Sequence, residues 1–363
     1  MASSYAPVGG RKGRGAPSND ASRFDSWQRE TDAQTRFEAD AAQEHEVRFV
    51  TRVEAETARS VIARNRSPDI PFDRSLNPYR GCEHGCIYCY ARPTHAYLGL
   101  SPGLDFETRL RAKRNAAQCL EAELRRPTYQ PAVLALGANT DPYQPIEREE
   151  RITRAVLEVL ERFGHPVGIT TKSALVVRDL DILSRMARRG LARVYLSVAT
   201  LDAGIARRLE PRASTPTRRV EAIRRLSEAG VPVGVMVAPV IPALTDFDIE
   251  RVLQTCAQAG AQHAGYVMLR LPLEVRDLFV AWLEEHYPMR ARHVMSLIEQ
   301  VREGRHNSAE FGTRLRGTGL HAELIRQRFE LAARRWGFDQ ARPGLRNDLF
   351  AVPPAPRAQM SLF

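Results

Sequence analysis

NPYRGCEHGCIYCYARP, residues 77–93, is the stretch on which the reading of this chain turns. It sets Cys82, Cys86 and Cys89 in a C-x3-C-x2-C spacing. Thiolates this close on one loop can converge on a single metal centre with little loop-closure cost. Gly81 and Gly85 let the loop wrap tightly, because glycine adopts positive φ without a steric penalty. Three thiolates on a four-iron cluster leave one iron with no protein ligand, open to a substrate or cofactor. The alternative is a structural zinc site made by the three Cys with His84. Zinc knots usually assemble from two separated pairs, and no second pair is present here. Cys119 and Cys256 lie in helical patterns and read as buried structural thiols.

Outward from the loop the chain alternates apolar runs with amphipathic stretches. A strand near Leu76 leads into the cysteines, and Val133–Ala138, Val167–Lys172, Val194–Val198, Val231–Ile241 and Ala264–Leu271 follow. Between them lie helical patterns at Glu147–Phe163, Val177–Arg189, Arg218–Ala229 and Ile249–Ala259. Short Val- and Ile-rich runs separated by helices predict a parallel sheet with helical crossovers. The expected fold is α/β, a partial (β/α)6 barrel spanning residues 67–273, with its chemistry at the C-terminal ends of the strands. Residues 1–66 read as a polar N-terminal region, a flexible arm to about residue 22 and irregular beyond it. Residues 274–346 read as a basic helical extension (Val275–His286, Ala291–Glu303, Leu320–Trp336), and 347–363 as an extended, Pro-containing tail.

The chain has 363 residues, with 53 Lys+Arg against 43 Asp+Glu, and a net charge of +10. A normal apolar and charged content excludes wholesale disorder. Five Cys, three of them clustered, exclude a disulfide framework and point to a reducing compartment. No apolar run approaches the roughly 18 residues of a membrane span, and the N-terminus lacks a signal-peptide core. A cytoplasmic protein with no membrane association is expected. Only Lys12, Lys113 and Lys172 are lysines, which makes Lys172, at the end of a strand, conspicuous.

The cysteine spacing, with aromatic Tyr88 just before the third Cys, resembles the radical S-adenosylmethionine (SAM) superfamily. The longer string 77–93 is similar to the branch that includes spore photoproduct lyase and its DNA repair photolyase-like relatives. The resemblance covers about residues 67–272. It implies a [4Fe–4S] cluster on Cys82, Cys86 and Cys89, with SAM chelating the fourth iron. It also implies a 5′-deoxyadenosyl radical and an electron donor such as flavodoxin or ferredoxin. By the same resemblance Asn139, Thr140 and Asp141 face the SAM amino group and Lys172 its carboxylate. Ser197 would meet the ribose and Tyr88 would pack beside the adenine and cluster. Met236–Ile241 would line the adenine. In the polar break Glu210–Ser214, Arg212 is placed to reach SAM or a substrate phosphate, with an Arg–Glu surface pair as the alternative. Lyases of that branch carry a hydrogen-returning Cys just after the second strand; here the stretch is GANTDPYQ, so Tyr143 is the candidate donor.

Residues 290–346 hold 12 Arg and six Asp+Glu, so most of the net charge lies there. Such a face suits phosphate contacts, and a solvated helical surface is the alternative. The final Gln359-Met360-Ser361-Leu362-Phe363 resembles the bacterial sliding-clamp-binding peptide, with Gln359 on the pocket rim and Leu362 and Phe363 inside it; Met360 replaces the usual Leu at similar volume, and docking of the tail onto its own domain is the alternative. The expected function is a radical SAM enzyme acting on nucleic acid, in DNA repair or base modification. The alternatives are radical modification of RNA or protein, and a non-catalytic nucleic-acid-binding protein with structural zinc.

Overall fold

The computed structural model describes residues 13–24, 50–341 and 343–354. Its strands begin with β1 (Arg52–Ala55), β2 (Ala63–Arg64), β3 (Arg74–Leu76), β4 (Tyr79–Arg80) and β5 (Arg109–Ala112). Then come β6 (Leu134–Leu136), β7 (Val167–Thr171), β8 (Ala192–Ser197), β9 (Val233–Val240) and β10 (His263–Met268). The six expected runs form β3, β6, β7, β8, β9 and β10, side by side in chain order and all parallel. β2 adds an antiparallel edge beside β3. The sheet stays open between β2 and β10, as a partial barrel does.

Register explains why the runs are so apolar. Leu76, Leu136, Ile169, Val194 and Val233 pair in sequence across five strands, and each is at most 1% exposed. Strands covered on both faces carry continuous Val, Ile and Leu rather than alternation. The crossovers are α1 (Ile152–Arg162), α2 (Leu180–Arg188), α3 (Pro216–Glu228) and α4 (Ile249–Gln258). Their starts are coded locally: Thr215 accepts the Arg218 amide and Pro216 opens α3. Gly230, at positive φ, follows that helix and turns the chain back into β9. The single helix expected over 147–163 is broken at Arg151, whose φ is +52°.

Two regions depart from the expectation. The N-terminal stretch is built into the fold where it is described: Ala16, Ser18 and Ser22 are buried. β1 joins β5 and β4 in a separate three-stranded sheet. The extension is not a separate layer either. Its helices α5 (Val275–His286) and α6 (Ala291–Gln300) place Phe279, Trp282, Val294 and Ile298 in one apolar cluster with Cys86, Ile87 and Tyr88. Helix α7 (Gly319–Arg335) packs on α4 through the main core. The loop before α7 bridges the open side of the sheet. Met268 donates its amide to the Leu315 carbonyl, while the Gly312 amide and the Arg314 side chain reach Asp69.

Residues 346–353 run back over the barrel. Arg346 and Ala351 donate amides to Gly190 and Phe163, and the Phe350 ring lies against Phe163, Tyr129 and His165. The clamp-like residues Gln359, Met360, Leu362 and Phe363 lie outside the described residues.

Candidate active site at the strand ends

The Cys loop follows β3 and β4 and is held from three sides. Gly81 and Gly85 take φ of +76° and +67°. A Cβ on Gly85 would stand 2.7 Å from a Glu107 oxygen, so the backbone conformation and the close packing both require glycine there. Beneath the loop Arg92 is fully buried. It donates to the carbonyls of Gly85, Cys86, Pro102 and Gly103, and to Glu107 at 2.6 Å. Glu107 also accepts the amides of Gly15 and Ala16, while the Cys82 amide bonds the Phe106 carbonyl. On the other side the Ile87 amide meets Leu209, and the Arg212 amide meets the His84 carbonyl.

This support holds the loop by its backbone rather than by its three thiols. Cys82, Cys86 and Cys89 form no disulfide; the Cys82 sulfur meets the backbone of Asp141, and the Cys89 sulfur that of Ala91 and Arg92. Cys119, by contrast, donates to the Ala58 carbonyl, and Cys256 is sealed in the core, as structural thiols are. Burial pushes all three loop thiols up, and for Cys82 the charges of Asp141, Cys86 and Cys89 add to it. Their ligation as thiolates therefore needs a positive centre. No three His, Cys, Asp or Glu side chains among the described residues converge on a single ion.

Lys172 stands at the end of β7. Its ammonium donates to the Ser197 hydroxyl at 3.3 Å and lies 5.8 Å from the centre of the Tyr88 ring. Burial works against that charge, but Cys86 and Glu210 outweigh it and raise its pKa. Ser197 in turn donates its hydroxyl to the Ala238 carbonyl. Tyr88, buried, donates its hydroxyl to Glu210, and Glu210 pairs with Arg219 out of solvent contact. Lys172, Ser197 and Tyr88 are thus brought together beside Cys86.

Other expected contacts are committed elsewhere. The Thr140 hydroxyl bonds the Tyr79 carbonyl and is buried. Asn77 accepts the amides of both Asn139 and Thr140, which leaves the Asn139 side chain without a hydrogen bond among the described residues. Asp141 accepts from Thr171, the Lys172 amide and the Tyr143 amide, and faces His84 at 3.3 Å. Burial alone would raise its carboxyl; the His84 charge and the hydrogen bonds bring it down to about 2. It is a clasp between strand ends and Cys loop, not a free acceptor. Arg212 pairs with Glu83 at 2.9 Å. Along Met236–Ile241, Val237, Val240 and Ile241 are buried, and Ile241 packs in the cluster around Cys86 and Tyr88.

The placement of Tyr143 counts against the donor role. It is fully buried, its hydroxyl donates to Asp179 at 3.1 Å, and Arg178 covers its ring. Tyr90, just after Cys89, is half-exposed, and its hydroxyl donates to the Ala138 carbonyl. Sequence reasoning passed over Tyr90, Glu107, Glu210 and Arg219. Only the YCY pattern around Cys89 hinted at the first.

Four of the twelve arginines in the basic extension are paired with carboxylates. Arg326 pairs with Glu323 and Glu330, Arg328 with Glu250, Arg314 with Asp69 and Arg346 with Asp348. Arg302 is buried and donates to four carbonyls.

The family model for the radical SAM superfamily matches residues 76–256. An uncharacterized protein of Mycobacterium tuberculosis is 39% identical over 231 residues, 62% of this chain and 68% of that one. An uncharacterized protein of Methanocaldococcus jannaschii is 25% identical over 214 residues, 59% of this chain and 76% of its own. Among solved structures, spore photoproduct lyase complexed with dinucleoside spore photoproduct aligns with a TM-score of 0.55 at 17% identity. That alignment covers 78% of this chain and 79% of the lyase, a likeness of fold. The donor set fits the groups this superfamily uses: the three thiols on one loop, in no disulfide, would hold a [4Fe–4S] cluster, and Lys172, Ser197 and Tyr88 beside them would hold SAM. With the family model running from β3 through α4 and the mycobacterial relative matched over two thirds of its length, this chain belongs to the radical SAM superfamily.

Proposed function

We propose that this protein is a radical SAM enzyme that acts on nucleic acid, in DNA repair or base modification. The observation that carries the enzymatic part is the Lys172 ammonium, held by Ser197 over Tyr88 and beside Cys86. An ammonium kept charged there has a ready partner in the SAM carboxylate. When bound, the cluster and SAM supply a carbon-centred radical that takes hydrogen from substrate. The chain's own part is placement and exclusion. Arg92 and Glu107 set the loop, Asp141 ties it to the strand ends through His84, and α5 closes apolar surface over it. Tyr90, half-exposed next to Cys89 with its hydroxyl at the Ala138 carbonyl, takes the place of the buried Tyr143 as the candidate hydrogen donor in this reading.

The nucleic-acid part is supported by the fold shared with a lyase whose solved complex holds a dinucleoside photoproduct, and by the net charge of +10. The C-terminal Gln359–Phe363 peptide adds a proposed tether to the sliding clamp. The test is SAM cleavage by anaerobically reconstituted protein with dithionite, read as 5′-deoxyadenosine by mass spectrometry. Release should rise with irradiated or unmodified DNA, and Lys172→Met should lower it by about tenfold or more, the scale of one charged contact. A full cluster that never cleaves SAM sinks the enzymatic reading. Stimulation by protein or by RNA but not by DNA sinks the DNA assignment.

A further inference from the structure

The chain leaves β10 as Leu269-Arg270-Leu271. Leu269 and Leu271 are buried in the apolar cluster that surrounds the Cys loop. Arg270, between them, is half-buried, and its Nε is shielded from solvent with no hydrogen-bond partner. Among the described residues no carboxylate pairs with it. The cations nearby are already committed. Arg302 spends its guanidinium on the carbonyls of Met268, Leu269, Thr313 and Arg314. Arg314 takes Asp69 at 2.5 Å and Ser67, and the Gly312 amide takes the other Asp69 oxygen at 2.6 Å. Both Asp69 oxygens are therefore already bonded.

A guanidinium withdrawn from water without a counter-charge is unfavourable. Burial and then Arg314 lower the pKa of Arg270, while Tyr90 and Asp69 act on it in the opposite sense. Tyr90 is the exposed phenol beside the third cysteine, so this cation stands at the same end of the sheet as the metal-binding loop. An anion arriving there meets an unused planar fork, the group best shaped for a phosphodiester.

We propose that Arg270 binds a backbone phosphate of the nucleic-acid substrate at the open end of β10, next to Tyr90. This rests on the nucleic-acid reading of the function and adds the residue that anchors the strand. Phosphate contacts set register and leave sequence to be read elsewhere.

The test is fluorescence anisotropy of the cluster-loaded full chain with a fluorescein-labelled oligodeoxynucleotide and its uncharged methylphosphonate analogue. Arg270→Gln should weaken binding of the phosphodiester strand about tenfold and reduce the salt slope by about one. Arg270→Lys should recover part of that loss, and neither change should alter binding of the methylphosphonate strand. Iron content and melting temperature verify that each variant is folded and loaded. An Arg270→Gln protein with wild-type affinity and wild-type salt slope overturns the assignment while leaving the function standing. A wild-type protein that binds neither DNA nor RNA overturns both.

Discussion

The support beneath the Cys loop and the basic C-terminal extension are both rich in charge, and they use it in opposite ways. Under the loop, Arg92 and Glu107 are each wholly buried and bonded to backbone at several points. In the extension, Arg326 and Arg328 are exposed or half-exposed and pair with carboxylates on the surface. Buried pairs hold their geometry because every alternative leaves a charge stranded, whereas surface pairs exchange freely with water. Charge density along the sequence is thus a poor guide to where charge matters.

The sharpest way to break that contrast is at Glu107. Glu107→Ala strands Arg92 and orphans the Gly15 and Ala16 amides, and losing one partner of a buried pair costs about 3–5 kcal/mol. A fall in both melting temperature and iron content is expected. Gly15→Val tests the same support from the other side, since a Cβ at Gly15 would lie 1.8 Å from the Gly85 carbonyl oxygen. If both variants retain a full cluster and wild-type stability, the loop does not depend on the N-terminal segment.

The same contrast explains what could be read in advance. The six parallel strands were legible because burial on both faces writes itself as unbroken Val, Ile and Leu. The Cys loop was legible because its ligands lie within eight residues. The small sheet was not: β1 is RVEA and β5 is RLRA, strands whose exposed faces carry charge and whose partners are far along the chain. Glu107, Glu210 and Arg219 went unremarked, since nothing local marks a residue whose partner is distant or on another element. Thr140, Asp141 and Tyr143 erred the other way. Their polar atoms looked available, but backbone and Asp179 had already taken them.

A second, smaller effect separates the tail from the helices that precede it. The tail docks through Phe350 on His165, and His165 faces the Pro166 carbonyl and the Tyr129 hydroxyl. Burial brings this imidazole down to about 4 from the usual 6.5. The unfolded chain therefore takes up the proton first. The resulting stability is complete above about pH 6.5 and is lost as pH falls toward about 4. At about 1.4 kcal/mol per unit this is on the order of 3 kcal/mol. Melting curves should show His165→Gln losing less stability than wild type across that window. His95, also buried and brought to about 4, keeps part of the acid sensitivity in the variant. Equal acid slopes in the two proteins would mean that the docked His165 is not held neutral.

The smallest effect belongs to Arg326, and it is informative because the sequence marked this residue as part of a phosphate-binding face. Its guanidinium is already bonded to Glu323 and Glu330. A phosphate would have to displace both carboxylates, with little net gain in water and less in salt. Arg326→Ala should leave the melting temperature and the oligonucleotide affinity unchanged within error, unlike Arg270→Gln. Removing the carboxylates instead, as in the double variant Glu323→Ala with Glu330→Ala, frees the guanidinium and should strengthen salt-sensitive, sequence-independent binding. If Arg326→Ala weakens binding as much as Arg270→Gln does, those surface pairs open for nucleic acid, and the contrast between committed and idle charge fails in the extension.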